Sequence, residues 1–201
     1  YQLQLSNGQT LESDAVVLAI PTYAMADLLA PHDNAIAEQL RAVRYNAVAT
    51  VTLAFNASDV AEPFDGFGVV VPKAENIPLL ACEGMSVKFS HRNPADQIVL
   101  RGFVGGKTNE SLIDLPDDEL IALVREQIEN IFDISAPPTT SKIYRWQPAT
   151  PQYAVGHLEM ITAVEKQLAT ILPNVHLTGS GTRGIGIPDC IRVAKDTVNQ
   201  L

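Results

Sequence analysis

Apolar positions recur along this chain with two periods, and the changes between them mark out its elements. Residues 1–5 (Y-Q-L-Q-L) alternate, and Asn7-Gly8 follows as a tight-turn signal. The pattern predicts strands over 1–5 and 15–20 joined across Ser6-Asn7-Gly8. Ala15-Val-Val-Leu-Ala-Ile20 is apolar without a break, as expected of a strand covered on both faces in a parallel sheet. Pro21 ends it, and short helices are expected over 23–29 and 35–42. A β-branched run over 47–55 opens a strand-rich stretch, with further strands at 67–71, 79–82 and 98–105, punctuated by Gly66, Gly84 and Gly105-Gly106. This reads as an antiparallel sheet. Asp114-Leu-Pro116-Asp-Asp-Glu119 then has the acidic, proline-bearing form of a helix start, and Leu120, Leu123, Val124, Ile128 and Ile131 continue at helical spacing. A strand over 140–146, a loop from Pro148 to Gly156, a helix over 158–172, a strand over 175–178 and a helix started by Pro188 complete the series.

The two strands that read as sheet-buried, 15–20 and 175–178, bracket the antiparallel section. The simplest topology has the chain leave an α/β domain after the first strand and return to it with the second. Everything between would be a second domain, with 1–30 and 174–201 forming the first and 31–173 the second. Composition supports a folded chain: 46% of the 201 residues are hydrophobic and 18% charged. A net charge of -9 argues against a nucleic-acid surface. No apolar run approaches the ~20 residues needed to span a membrane. Cys82 and Cys190 are too few and too far apart for a disulfide framework or zinc site, so a reducing, cytoplasmic setting is the default. Tyr1 begins in mid-strand, so the chain is expected to be cut from something longer.

The densest chemistry lies at Val175-His-Leu-Thr-Gly179-Ser-Gly181-Thr-Arg-Gly184-Ile-Gly186-Ile-Pro188-Asp-Cys-Ile191. A strand passes through glycines into a helix N-terminus, where free amides and the helix dipole favour an anion or the electron-rich edge of a ring. No G-K-[ST] is present, so it is not a P-loop. It is read as a completing contact to a cofactor rather than a primary dinucleotide fingerprint. Trp146 can serve as a flat aromatic wall or as core packing, and composition alone favours packing. His157 is better explained as a helix-start residue than as an acid or base. No Ser-His-Asp, metal-ligand or paired-carboxylate arrangement is evident, so no catalytic residue and no metal are assigned.

Read together, several stretches resemble the oxygen-dependent FAD enzymes that oxidise porphyrinogens. They are Gly184-Ile-Gly-Ile-Pro-Asp-Cys-Ile191, Arg145-Trp-Gln-Pro-Ala-Thr-Pro-Gln-Tyr-Ala-Val-Gly-His157, Val99-Leu-Arg-Gly-Phe-Val-Gly-Gly106, Phe64-Asp-Gly-Phe-Gly68 and Ala15-Val-Val-Leu-Ala-Ile-Pro21. The resemblance implies an α/β and α+β fold: the C-terminal part of a glutathione-reductase-like FAD/NAD(P)-binding domain and an antiparallel-sheet substrate domain. It implies that Ile185, Gly186 and Ile187 lie against the flavin, that Trp146 lines its site, and that Gly179 and Ser180 approach the ribityl phosphate. Related flavoenzymes often place Asn or Asp where Ser180 stands. Arg44, Lys88 and Arg101 are the expected partners of substrate propionates. The implied reaction oxidises coproporphyrinogen III or protoporphyrinogen IX, with dioxygen as acceptor and hydrogen peroxide as product. The primary FAD-gripping segment is expected outside these residues, so the chain alone is expected to be inactive and to bind FAD weakly or not at all. A second copy of the chain, and peripheral association of the whole enzyme with a membrane, are left open by the resemblance. Two other readings remain: an FAD enzyme acting on amines or carotenoids, and a non-catalytic binding module.

Overall fold

Helix and strand signals of this chain resolve into nine strands and six α-helices in the computed structural model, which describes residues 1–60 and 66–201. Phe64 and Asp65, in one of the stretches quoted above, lie outside the described residues. Contacts divide the chain into two units, 1–45 with 150–201 and 46–149. The changeovers fall inside the expected boundaries at 30/31 and 173/174, because two helices assigned to the inserted segment pack into the core of the first unit.

That first unit opens with a hairpin, β1 (Gln2–Gln4) against β2 (Thr10–Glu12), with Leu3 opposite Leu11. The Asn7-Gly8 turn therefore closes onto 10–12 and not onto 15–20. The apolar run instead forms β3 (Val16–Leu18), whose partner is a strand more than 150 residues away in sequence, β9 (Val175–Leu177). The pair is parallel, as expected, although Val17 is exposed rather than covered.

Two helices follow β3. In α1 (Thr22–Leu29), Thr22, Met25, Ala26 and Leu29 recur at three- and four-residue steps and are buried. In α2 (Asn34–Arg41), Ile36, Ala37 and Leu40 do the same. They pack on each other, α2 packs on α5 (His157–Ile171), and α5 contributes Ile161, Val164 and Leu168 to one core with both helices and with Leu18 and Leu177. Fully burying each Leu or Ile removes enough apolar area to stabilise the unit by roughly 1.5–3 kcal/mol.

Asp33 caps α2, accepting the amides of Ala35 (2.8 Å) and Ile36 (3.1 Å) on one carboxylate oxygen and Gln167 Nε2 (2.6 Å) on the other. The Ile36 amide is the chief cause of a carboxyl held below its ordinary range; desolvation opposes it, and Gln167 and Ala35 add to it. A group whose folded value is depressed stabilises the fold above its unfolded value, and loses that contribution as pH falls through the folded one. Asp33→Ala should therefore lower the thermal midpoint near neutral pH, with the gap from the parent closing below the usual carboxylate range. Melts recorded at neutral pH and near pH 3 test this; an unchanged gap would show that the charge is irrelevant.

The second unit is built on a five-stranded sheet of order β5-β6-β7-β4-β8: β4 (Arg44–Asn56), β5 (Gly68–Val70), β6 (Leu79–Gly84), β7 (Gln97–Gly105) and β8 (Thr140–Gln152). The β-branched run predicted over 47–55 becomes β4. Its register with β7 runs unbroken and antiparallel from Val48 opposite Gly105 to Asn56 opposite Gln97. Ala47, Ala49, Val51, Leu53 and Phe55 point to one face, where α4 (Asp117–Phe132) adds Leu120, Val124 and Ile128. Here period two meets period 3.6, and the core forms where the apolar faces coincide. Asp117, Asp118 and Glu119 occupy the first turn of α4 and favour its dipole. Cys82 lies in the same core, and burial pushes its thiol up to about 12.

Strand β8 runs through Pro148 to Gln152, where a loop was expected. A short helix, α3 (Met85–Lys88), follows β6, and α6 (Ile187–Val198) follows β9.

Candidate functional site

Between β9 and α6 lies the glycine-dense turn singled out in the sequence. Gly179, Gly181 and Gly184 do carry the literal G-x-G-x-x-G spacing, although the sequence reading set that fingerprint aside. Context separates the turn from a dinucleotide fingerprint: α6 does not open at the glycines but begins at Ile187, beyond Gly184. An intervening loop presents backbone where a fingerprint would present a helix end directly.

The loop is held from several sides. Thr182 donates both its amide (3.1 Å) and its hydroxyl (2.8 Å) to the Gly179 carbonyl and is completely buried. Arg183 reaches back to α5, its guanidinium paired with the Glu165 carboxylate and its Nη2 donating to Thr162 Oγ1 (3.1 Å). The Glu165 hydrogen bond raises the Arg183 pKa further above its ordinary value, against desolvation. Tyr153 Oη donates to the Ser180 carbonyl (2.6 Å) and accepts the Gly184 amide (2.8 Å). His157 Nε2 lies 2.8 Å from the Thr182 carbonyl.

Helix α6 then starts with Gly186 as N-cap, Pro188 in its first turn, and Cys190 N–H on the Gly186 carbonyl (2.9 Å). Pro188 suits a position whose amide would have no intrahelical partner. The remaining first-turn amides have none either, so the helix start is a centre of partial positive charge. Ile185 and Ile187 flank it and are exposed, Ile187 at 77%.

Three observations fit this corner to a flat, electron-rich ligand with an anionic tail. Gly179 has φ +109°, and a Cβ built on it would meet nothing nearer than 4.0 Å, so its backbone is open to close approach. Thr178 Oγ1, one residue earlier, is buried and has no partner among the described residues. The exposed isoleucines supply apolar contact beside polar amides, the usual make-up of a cofactor site.

Gly179, Ser180, Ile185, Gly186 and Ile187 thus share one turn, as the sequence suggested. Ser180 acts in this structure through its carbonyl, on Tyr153. The other expected site residues are elsewhere in the chain. Trp146 lies on β8 of the second unit and is 57% exposed, so core packing does not explain it. Ile143, one residue before Tyr144 and three before Trp146, packs towards the core, and these odd offsets put the two rings on the opposite, open face of the sheet.

Arg101 shares that face. Its Nε donates to Thr52 Oγ1 (3.2 Å), and it sits in register between Thr52 on β4 and Glu83 on β6. Lys88 pairs at 2.6 Å with Glu83, the cross-strand neighbour of Arg101. Arg44, exposed at the start of β4, belongs to the first unit. Arg145, next to Trp146 on the same strand, is occupied with the carbonyls of Ile113 and Leu115 and with Asp117.

Sequence reasoning missed the roles of Tyr153 and Thr178. The four-residue step from Tyr153 to His157, just before a helix start, was the available signal for the first. Among the described residues no cluster of three or more His, Cys, Asp or Glu could hold a metal, and no helix is long and apolar enough to cross a membrane.

A sequence model of the flavin containing amine oxidoreductase family matches residues 1–201. Coproporphyrinogen III oxidase of Bacillus subtilis (strain 168) is 33% identical over 199 residues, covering 99% of this chain and 42% of the relative. The chloroplastic protoporphyrinogen oxidase of Oryza sativa subsp. japonica is 24% identical, over 96% of this chain and 38% of its own length. Among solved structures, an Exiguobacterium sp. 255-15 protein with the provisional name protoporphyrinogen oxidase superposes with a TM-score of 0.82. It has 30% identity and covers 99% of this chain and 43% of that one. The chain thus spans about two fifths of the length of the curated relatives it matches.

Proposed function

The chain belongs to the flavin-containing amine oxidoreductase family, and from that premise we propose that it serves an FAD-dependent porphyrinogen oxidase acting on coproporphyrinogen III or protoporphyrinogen IX. The observation that carries this reading is the corner at 184–188: an amide-rich helix start flanked by the exposed Ile185 and Ile187. FAD, when bound, supplies a two-electron acceptor for hydride and passes the electrons to dioxygen, which leaves as hydrogen peroxide.

The chain's own residues orient and polarise. Amides at 185–187 and the α6 dipole favour negative charge on the edge of a ring laid against them, which is the logic of an oxyanion hole. Ile185 and Ile187 exclude water from that edge. Gly179 admits the ribityl-phosphate region, and Thr178 Oγ1 offers a hydroxyl with no other partner among the described residues. Trp146 offers a flat apolar surface to a flat ligand. Arg101 and Lys88, with Arg44, are the cations for substrate propionates; Glu83 tempers the first two and makes them an orienting pair rather than a strong anion trap. Loss of hydride and protons ends in an aromatic macrocycle, which supplies the driving force. Positioning therefore counts for more than a strong base, in keeping with a site that has no evident one.

The test uses the protein at its natural length: flavin content after purification, then porphyrin fluorescence and peroxide yield from coproporphyrinogen III, with a primary amine as control. Porphyrin appearing with three peroxides per macrocycle is expected. Absence of flavin, or oxidation of the amine alone, would overturn the reading. Residues 1–201 expressed by themselves should bind FAD more weakly than micromolar in a fluorescence-quenching titration.

A further inference from the structure

Tyr153 and His157 lie outside the glycine turn, yet between them they hold it at every second residue. The phenol oxygen spans the turn, donating to Ser180 O at 2.6 Å and accepting from Gly184 N at 2.8 Å. Its single hydrogen goes to the carbonyl and its lone pair meets the amide, so its polarity is fully used. His157 Nε2 meets Thr182 O, between those points, at 2.8 Å. A carbonyl can only accept, so Nε2 carries the hydrogen. The two rings lie stacked, centroids 3.7 Å apart and planes within 12°, so each fixes the other's orientation. His157 is buried at the first turn of α5, which anchors the pair in the unit's core. Burial also raises the Tyr153 pKa above its ordinary value, which keeps the phenol a donor through the neutral range. The turn's own backbone bonding across 179–184 is slight: Thr182 N to Gly179 O, at 3.1 Å.

We propose that Tyr153 and His157 are positioning residues that set the path of 180–184, and through it the direction in which the 185–187 amides face the flavin. The proposal rests on the flavin reading above. It follows from continuity: Gly184, whose amide is bonded to Tyr153, leads directly into Ile185. Among the described residues no other side chain is bonded to Ser180 O, Thr182 O or Gly184 N, so a turn released there loses what sets its curvature. Neither residue touches the reacting atoms; both act through the backbone they hold.

The experiment uses the natural-length protein, unsubstituted and as Tyr153→Phe, His157→Leu and His157→Gln. Tyr153→Phe keeps the ring and its stacking and removes only the hydroxyl. Gln can place an N–H near the position of Nε2, whereas Leu cannot. Amide hydrogen exchange of peptides covering 180–186 is measured on the apoprotein, FAD affinity by titration, and the flavin midpoint potential by dye-equilibrated reduction. For Tyr153→Phe and His157→Leu, exchange at 180–186 should rise and FAD affinity should fall, each by about tenfold, as the loss of one or two hydrogen bonds implies. The midpoint potential should become more negative, because misdirected amides no longer favour the charge of the reduced ring. His157→Gln should recover most of both the affinity and the potential.

A purely structural role would loosen the turn or lower the melting temperature while leaving the potential at its unsubstituted value, and that result overturns the proposal. If Tyr153→Phe fails to fold, the Leu and Gln variants at His157 decide by the same readouts. An unsubstituted protein that takes up no flavin would instead overturn the functional reading, and that control separates the two failures.

Discussion

Gly184→Ala is expected to lower the stability of the first unit by about 2–4 kcal/mol and to abolish flavin binding, for two reasons that act at one atom. Gly184 has φ +156°, where an L side chain is strained, and a Cβ built there lies 2.4 Å from Asp189 Cβ and 2.8 Å from its Cγ. Asp189 cannot rotate away, because the closest atom is its own Cβ, fixed by the backbone of α6. Relief requires moving either the helix or the turn. Moving the turn strains the Tyr153 bond to the Gly184 amide and the Cys190 Sγ contact with the Gly184 carbonyl at 3.4 Å. Moving the helix displaces the amides at its start. Urea unfolding followed by far-ultraviolet circular dichroism measures the first effect, and FAD titration of the natural-length protein the second. An alanine variant as stable as the parent would show that the turn relaxes freely and is not held as described.

Arg145→Lys is expected to cost the second unit about 2–4 kcal/mol, as befits the loss of hydrogen bonds from a charged donor to two partly buried carbonyls. The guanidinium donates from Nε to Ile113 O and from Nη2 to Leu115 O, both at 2.7 Å, and from Nη1 to Asp117 Oδ1 at 2.5 Å. It thereby ties β8 to the chain entering α4. Asp117 is largely exposed, so the ion pair itself counts for little. The carbonyls decide the outcome, because a lysine ammonium on a flexible stem cannot meet both in the same geometry. Chemical denaturation of Arg145→Lys beside Asp117→Ala separates the contributions: the lysine variant should lose several times more. Equal losses would show that the carboxylate, and not the carbonyls, holds the arginine.

Much of the fold was legible because long elements average over many residues. The β-branched run over 47–55 and the amphipathic repeat from Leu120 to Ile128 each repeat one period often enough to outweigh local exceptions. Short or polar elements were not. Thr10–Glu12 has a single apolar residue, Leu11, too few to show a period, so its pairing with β1 gave no sign beside the longer apolar run at 15–20. The real partner of that run, β9, lies at the far end of the chain; the sequence placed both strands in one α/β domain, but not their register side by side. Pro148 suggested an end to β8 that the structure does not show.

The site divided in the same way. Gly179 to Ile187 could be recognised as a turn with a helix behind it, since glycine and proline act locally. The residues that hold this turn could not, because Tyr153 and His157 reach it across 25 to 31 positions of sequence. The pairing of Lys88 with Glu83, five residues apart across a strand end, was closer at hand but needed the bend at Gly84 to be seen.

The interleaving of the two units constrains how the chain is assembled during synthesis. Residues 46–149 are continuous and emerge from the ribosome before the second half of the first unit exists, so their sheet can form while β3, α1 and α2 still await α5 and β9. The inserted segment enters along β4 and leaves along β8, which are neighbours in its sheet. Once that sheet has formed, it brings the two severed parts of the other unit together and removes most of the entropy of closing a loop of that length. A substitution that slows the sheet, such as one in Phe55, would therefore delay maturation of the glycine corner in the other unit.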